Sequence, residues 1–228
     1  MDVILINSNV LTNLFKNWGF FSGICTNNLS SLYSKADKLG RKCLKSNHFS
    51  GSRGIYLDFY IKDISRGCAD QLFRHEVGVV KNMQSTRYVD LSNFTYHISE
   101  DILKNEEALK IFKNNMEQTK KDYVKIIELL MQDGVEKKKA QEQARGLLGL
   151  DVHTNVMMGF TIEALINLMH KRLCIRSQKE IRNVVQKIKD EVIKFKPELE
   201  EYLVPQCEYL TWCPEENSCG KFNKKLGG

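Results

Sequence analysis

The sequence predicts an α/β protein, with a sheet from residues 3–7, 54–65 and 77–98 packed by long helices between 99 and 195. Three observations carry that expectation. Ile55, Leu57, Phe59 and Ile61 alternate with polar neighbours, the two-residue period of a half-buried strand. From Ser99 onward the apolar residues recur at helical spacing instead: Ala108, Phe112, Tyr123, Ile126, Ile127 and Leu130. No proline occurs before Pro197, so nothing in that stretch forbids long unbroken helices.

In chain order, "VILIN" (3–7) is a short apolar run closed by Asn and Ser, the mark of a buried strand. Residues 10–45 mix helical spacing with "TNNLSS" and hold one or two helices. "RGCADQLFRHE" (66–76) breaks the preceding alternation and predicts a helix with Cys68 and Leu72 inward. "VGVV" and "TRYVDLSNFTYHI" predict extended chain. A helix capped by Ser99 runs to the Asp133–Gly134 turn pair. A second, "VEKKKAQEQARGLLG", closes at Gly149. Residues 158–171 and 176–195 predict two further amphipathic helices. These elements make one domain over 1–196. A tail of distinct composition, 197–228, holds all three prolines and three of the seven cysteines.

Composition narrows the function classes. The chain has 228 residues, 42% hydrophobic and 27% charged, the balance of a globular domain with a real core. A net charge of +6 suits a small anionic ligand but is too weak to argue for nucleic acid by itself. Basic residues interleaved with stacking aromatics are not found, so no nucleic-acid partner is expected. No apolar run approaches the roughly 20 residues of a membrane span. "MDVILINSNV" reads as a first strand and not as a signal peptide. Scattered cysteines imply free thiols and a cytoplasmic protein. Cys207, Cys213 and Cys219 are evenly spaced, but three thiols at that spacing are a weak metal signal, and no metal is expected.

The chemistry concentrates in "RHEVGVVKNMQSTRYV" (74–89). Two arginines, a histidine and a lysine flank an amide and hydroxyl cluster. Arginine offers a fixed fork of donors to phosphate and to the planar edges of heterocycles. If the segment is extended, Ser85 and Arg87 share a face and Thr86 points away. Further arginines stand in "ARGLLGLDVHT" (144–154) and "LINLMHKRLCIRSQKEIR" (165–182).

The order of these segments resembles flavin-dependent thymidylate synthase, ThyX. That family carries S-R-x-x-x-x-Q-x-x-R-H, then R-H-R-x-x-S-x-N-E-x-S-x-R, A-R-x-x-L-P, and a helix with R-x-x-x-x-A-Q-x-E-I-R. Here Ser65, Arg66, Gln71, Arg74 and His75 match the approach, and Asn82, Ser85, Arg87 and Tyr88 the end of the main motif. Ala144, Arg145 and Leu148 match the next element, and Arg172, Gln178, Glu180, Ile181 and Arg182 the last. The resemblance spans roughly residues 1–195 and is most specific over 65–182. Glu76 stands for the third motif arginine, Met83 for the motif glutamate, Gly149 for the proline, and Arg53-Gly54 for a glutamate-histidine pair.

The resemblance implies a ThyX-like sheet packed by long helices, a homotetramer, and sites at subunit interfaces. It implies transfer of a one-carbon unit from methylenetetrahydrofolate to dUMP, with FAD as cofactor and NADPH as reductant. It places Gln71, Ser85, Arg87, Arg145 and Arg172 on dUMP, with Arg172 the catalytic choice beside the uracil carbonyl. Arg74, His75, Asn82 and Arg176 are placed on FAD. Two alternatives accommodate the departures: a folate-dependent hydroxymethyltransferase of pyrimidine nucleotides on the same scaffold, and a non-catalytic nucleotide-binding relative.

Overall fold

The computed structural model describes residues 1–24 and 29–224, without the side chains of 29–32; Cys25 lies outside the described residues. Strand β1 (Asp2–Leu5) is followed by three helices: α1 (Asn9–Thr12), α2 (Leu14–Gly23) and α3 (Leu29–Lys45). Then come β2 (Tyr56–Ser65), α4 (Arg66–Phe73) and β3 (Val79–Met83). The middle of the chain holds α5 (Glu100–Lys104), α6 (Glu106–Gln132) and α7 (Lys137–Ala144), the last running into a 3-10 turn at Arg145–Leu147. Strand β4 (His153–Thr161), α8 (Ile162–Arg172) and α9 (Lys179–Phe195) follow, and α10 (Gln206–Leu210) lies in the tail. The four strands form one sheet in the order β1-β2-β4-β3. Backbone bonds from Gln84 N–H to Asn155 O and from Thr161 N–H to Gly78 O, 2.9 Å each, run β3 antiparallel to β4.

The described residues form two compact units. One comprises 1–61, 71–82 and 157–228; the other comprises 62–70 and 83–156. The core of the first is built from two periods. Leu57, Phe59 and Ile61 of β2 alternate inward, and Phe59 meets Phe160 edge to face at 6.1 Å between centroids. Leu165, Leu168 and Met169 of α8 and Ile181, Val184, Val185, Ile188 and Val192 of α9 are buried at helical spacing. Helices α2 and α3 approach closely enough that a Cβ on Gly19 would lie 1.8 Å from the Ala36 carbonyl oxygen. Trp18, fully buried beside this crossing, donates its indole N–H to the His48 carbonyl at 3.2 Å. The second unit has its own core of Leu91, Phe94, Met116, Tyr123, Ile127, Ala140, Ala144 and Val152. The apolar stripe predicted on the long helix supplies Tyr123 and Ile127 fully, and Phe112, Ile126 and Leu130 at its edge.

Several expected elements change. The strand expected over 77–98 is only Val79–Met83; the rest is turn and loop, with one isolated bridge from Tyr96 to Val152. Turn chemistry outweighs strand propensity there: Asp90 accepts from the Ser92 N–H at 2.9 Å, and Ser85 from the Arg87 N–H. The helix expected at 158–171 is β4 followed by α8. Thr154, Val156, Met158 and Phe160 are all buried at a two-residue period, while "MMGFTIEALINLM" is too continuously apolar to show where that period ends. Thr161 marks the change, its side chain accepting from the Ala164 N–H at 3.2 Å.

The helix expected from Ser99 breaks at Asn105, which caps α6 by accepting from the Ala108 N–H at 3.0 Å. Ser99 stands at the start of α5 but makes no side-chain capping bond. The helix expected to close at Gly149 tightens after Ala144, and the one expected from 176 begins at Lys179. Cys68 is fully buried, as expected of a small core residue.

Candidate functional site

The residues singled out by sequence fall into two sets, one in each unit. The first set gathers at the end of α8. Arg172, in the last turn of α8, donates Nε–H to His75 Nε2 at 3.0 Å, and its NH2 lies 3.5 Å from the Gln71 carbonyl oxygen. An acceptor at Nε2 requires the His75 proton on Nδ1. Burial, and then the positive charges of Arg172 and Lys171, push the His75 pKa down to about 4, so the ring is neutral near pH 7. A neutral histidine thereby orients the guanidinium without competing with it for an anion. The Gln71 side chain donates to Gln178 Oε1 across the mouth of α9, so two motif residues distant in sequence are joined directly.

Arg74 is exposed in the turn that ends α4, and Asn82 is exposed on β3. Glu76, which replaces an arginine of the family motif, is 78% exposed and lies 3.5 Å from Lys81 Nζ. Lys81 also donates to the Phe73 carbonyl at 2.5 Å and stands over the Phe73 ring at 5.3 Å. The substituted carboxylate is thus answered by a lysine on β3. Arg176 donates to the Asn217 carbonyl in the tail at 2.7 Å. His153, on β4, shares a hydrogen bond with Thr95 Oγ1 at 2.8 Å. His170 is half-buried in α8.

The second set is made by α7 and the loop after β3. Arg87 NH2 pairs with Glu142 Oε2 at 3.0 Å, and Arg145 NH2 lies 4.0 Å from Glu142 Oε1. One carboxylate therefore holds both arginines close together. Arg87 Nε is buried and has no hydrogen-bond partner. A fork with one orphaned, buried N–H and a shared anion is suited to accept a further anionic oxygen. Ser85 and Arg87 are not alternate residues of a strand, as the extended reading required. They sit in a turn in which Ser85 Oγ accepts from the Arg87 N–H at 3.2 Å and Ser85 O from the Tyr88 N–H at 3.4 Å. The serine hydroxyl fixes the turn that aims the arginine. Ser65 plays a similar local part, accepting from the Cys68 N–H at 3.0 Å at the start of α4.

Sequence reasoning missed Glu142 and Lys81. Glu142 was findable: a carboxylate three residues before Arg145 on a helix shares its face. Lys81 was not, because its role depends on the replacement at Glu76 and on the β3 register.

Two arginine sets, one steered by a neutral histidine and one by a shared carboxylate, stand on an α/β frame. The family model described as thymidylate synthase complementing protein (Thy1) matches residues 17–198. The chain is 33% identical over 181 residues to the flavin-dependent thymidylate synthase of Nitratidesulfovibrio vulgaris, covering 78% of this chain and 74% of that protein. It is 33% identical over 196 residues to that of Clostridium tetani, covering 82% and 78%. A solved structure of ThyX from Helicobacter pylori complexed with FAD and dUMP superposes with a TM-score of 0.63, at 18% identity, over 91% of this chain and 99% of that one. The chain therefore belongs to the flavin-dependent thymidylate synthase family, and its fold is the ThyX fold.

Proposed function

We propose that this protein is a flavin-dependent thymidylate synthase that converts dUMP to dTMP, with FAD as cofactor and methylenetetrahydrofolate and NADPH as co-substrates. The observation that carries the reading is the family match over 17–198, which contains both arginine sets entire. Arg87 and Arg145 would bind the nucleotide phosphate, with Ser85 setting the turn that carries Arg87. The phosphate would share or replace Glu142, and the orphaned Arg87 Nε would find its partner.

Arg172 would face the pyrimidine carbonyl. Negative charge grows on that oxygen as C5 becomes nucleophilic, and a fixed guanidinium stabilises it. His75 is a positioning residue for Arg172, and Gln71 would add a neutral donor beside the base. Arg74, Asn82 and Arg176 present amide and guanidinium donors suited to a flavin dinucleotide, with His75 at their edge. The flavin would supply the reducing equivalents that complete the methyl group. Lys81 answers Glu76, and Arg176 also reaches the Asn217 carbonyl in the tail.

We further propose a homotetramer and a cytoplasmic location. Among the described residues no helix is long and apolar enough to cross a membrane. The reading is tested by titrating the purified protein with FAD and recording its absorbance and fluorescence. A saturable flavin spectrum that responds to dUMP is expected. Protein that leaves the FAD spectrum unaltered, while still binding dUMP, would favour the non-catalytic relative. Release of tritium from C5-labelled dUMP with a hydroxymethyl product would favour the hydroxymethyltransferase.

A further inference from the structure

Directly after Arg172 the chain enters the wall of a cavity that none of the residues proposed for dUMP and FAD lines. The cavity has a volume of about 400 Å³, lies between α9 and the tail, and is lined by residues of a single compact unit. That volume is within the range of pockets that hold small organic molecules. Leu173 and Cys174, the two residues after Arg172, line it. Gln178 Oε1 accepts from the Gln71 side chain, and the Gln178 carbonyl accepts from the N–H of Arg182, which also lines the cavity, at 3.1 Å. Both segments therefore join the Arg172 cluster to the cavity.

The charges of the lining are unbalanced. Arg182, Lys189 and Lys221 are set against one carboxylate, Glu208. Lys221 donates to Glu208, so that carboxylate is already answered from within the tail. Arg182 and Lys189, both half-buried on α9, make no ion pair among the described residues. Arg182 donates through NH1 to the Ile175 carbonyl at 2.7 Å, which fixes the guanidinium and leaves the rest of its fork for a ligand. Arg182 and Lys189 stand two turns apart on one face of α9, about 10 Å along the axis. A compact anion such as phosphate reaches only one of them. A chain whose carboxylates recur along its length reaches both, and Leu173, Ile175 and Pro205 give its methylene groups apolar surface.

We propose that this cavity holds the glutamate tail of the folate co-substrate, an assignment that rests on the proposed synthase function for the identity of the ligand. A folate carries its reactive pterin at one end and glutamate at the other. Further glutamates join through the γ-carboxyl, and each leaves an α-carboxylate free. With the pterin at the Arg172 cluster, the tail runs along α9, one carboxylate on Arg182 and a later one on Lys189. The opposite wall, from Pro205 to Lys221, lies beyond the family match that ends at residue 198. The tail of this chain thus completes a site for the part of the folate that takes no part in the chemistry.

The test is calorimetric titration of the full-length protein with p-aminobenzoyl-pentaglutamate and p-aminobenzoyl-monoglutamate, which carry the folate tail without the pterin. Two partly exposed ion pairs together should make the pentaglutamate bind about tenfold tighter. That difference should shrink as salt is raised. Lys189→Gln should remove most of it and Lys189→Glu all of it. A loss of fold would depress both affinities alike, so the ratio between the two probes reads the tail contacts alone. Equal affinity for the two probes, a ratio unchanged in Lys189→Glu, or equally tight binding of inorganic tripolyphosphate at the same site would each overturn the assignment. Formation of dTMP tests the synthase activity separately. Protein that prefers the pentaglutamate yet makes no dTMP has the tail site without the activity, and protein that makes dTMP with no such preference has the activity without the site.

Discussion

His75 offers the sharpest quantitative test of the arginine cluster at the end of α8. Its pKa is pushed down from 6.5 to about 4 by burial first, then by Arg172 and Lys171. The folded protein therefore holds the ring neutral, while the unfolded chain takes up the proton near pH 6.5. Stability from this group is complete above about pH 6.5, falls as pH drops from 6.5 to 4, and is fully lost below 4. At about 1.4 kcal/mol for each pH unit between those values, the ceiling is about 3.4 kcal/mol, which solvent screening of a half-buried ring reduces to about 2 kcal/mol.

The perturbation is Arg172→Gln, which removes one repelling charge and leaves the burial. The assay is NMR titration of the His75 ring resonances in both proteins. The wild-type midpoint should lie near 4, and the variant should move part of the way toward 6.5. Urea unfolding of wild type and His75→Gln at pH 7 and pH 4.5 should show the wild type losing about 1.4 kcal/mol more than the variant. A wild-type midpoint at 6.5 or above would refute the reasoning, because a protonated His75 cannot accept from Arg172 Nε.

Three further outcomes follow from the geometry. Arg87→Ala and Arg145→Ala should each weaken dUMP binding by about 1.5–3 kcal/mol, roughly 10- to 150-fold by calorimetric titration. Glu76→Gln should change thermal stability by no more than about 0.5 kcal/mol in scanning calorimetry, since the Glu76 carboxylate is largely exposed and its pair with Lys81 is long, at 3.5 Å. Gly19→Ala should cost about 1–3 kcal/mol in denaturant unfolding, because the added carbon would sit 1.8 Å from the Ala36 carbonyl and one helix must retreat.

Much of this molecule was legible in its residues, and the failures share a cause. Strand β2 announced itself because Leu57, Phe59 and Ile61 alternate against a polar face. Helix α9 did so because its buried residues keep helical spacing throughout. Strand β4 was hidden because both of its faces turn apolar toward its end, which erases the period that separates strand from helix. The strand expected over 77–98 failed after Met83, where local bonds from Ser85 and Asp90 to the backbone outweigh β propensity.

The motif spacing singled out Gln71, His75, Arg87, Arg145 and Arg172 as candidates, but spacing carries no partners. Glu142 joining two arginines, His75 accepting from Arg172, and Lys81 answering Glu76 are products of tertiary register.

The central claim is that this chain methylates dUMP through a flavin. The direct measurement is mass-resolved product analysis after incubating the purified protein with dUMP, methylenetetrahydrofolate and NADPH, with and without FAD, under anaerobic conditions. The account predicts dTMP that accumulates only when FAD is present and that falls sharply in Arg172→Ala. Absence of dTMP from flavin-loaded, dUMP-binding protein, or a hydroxymethylated nucleotide in its place, would contradict it.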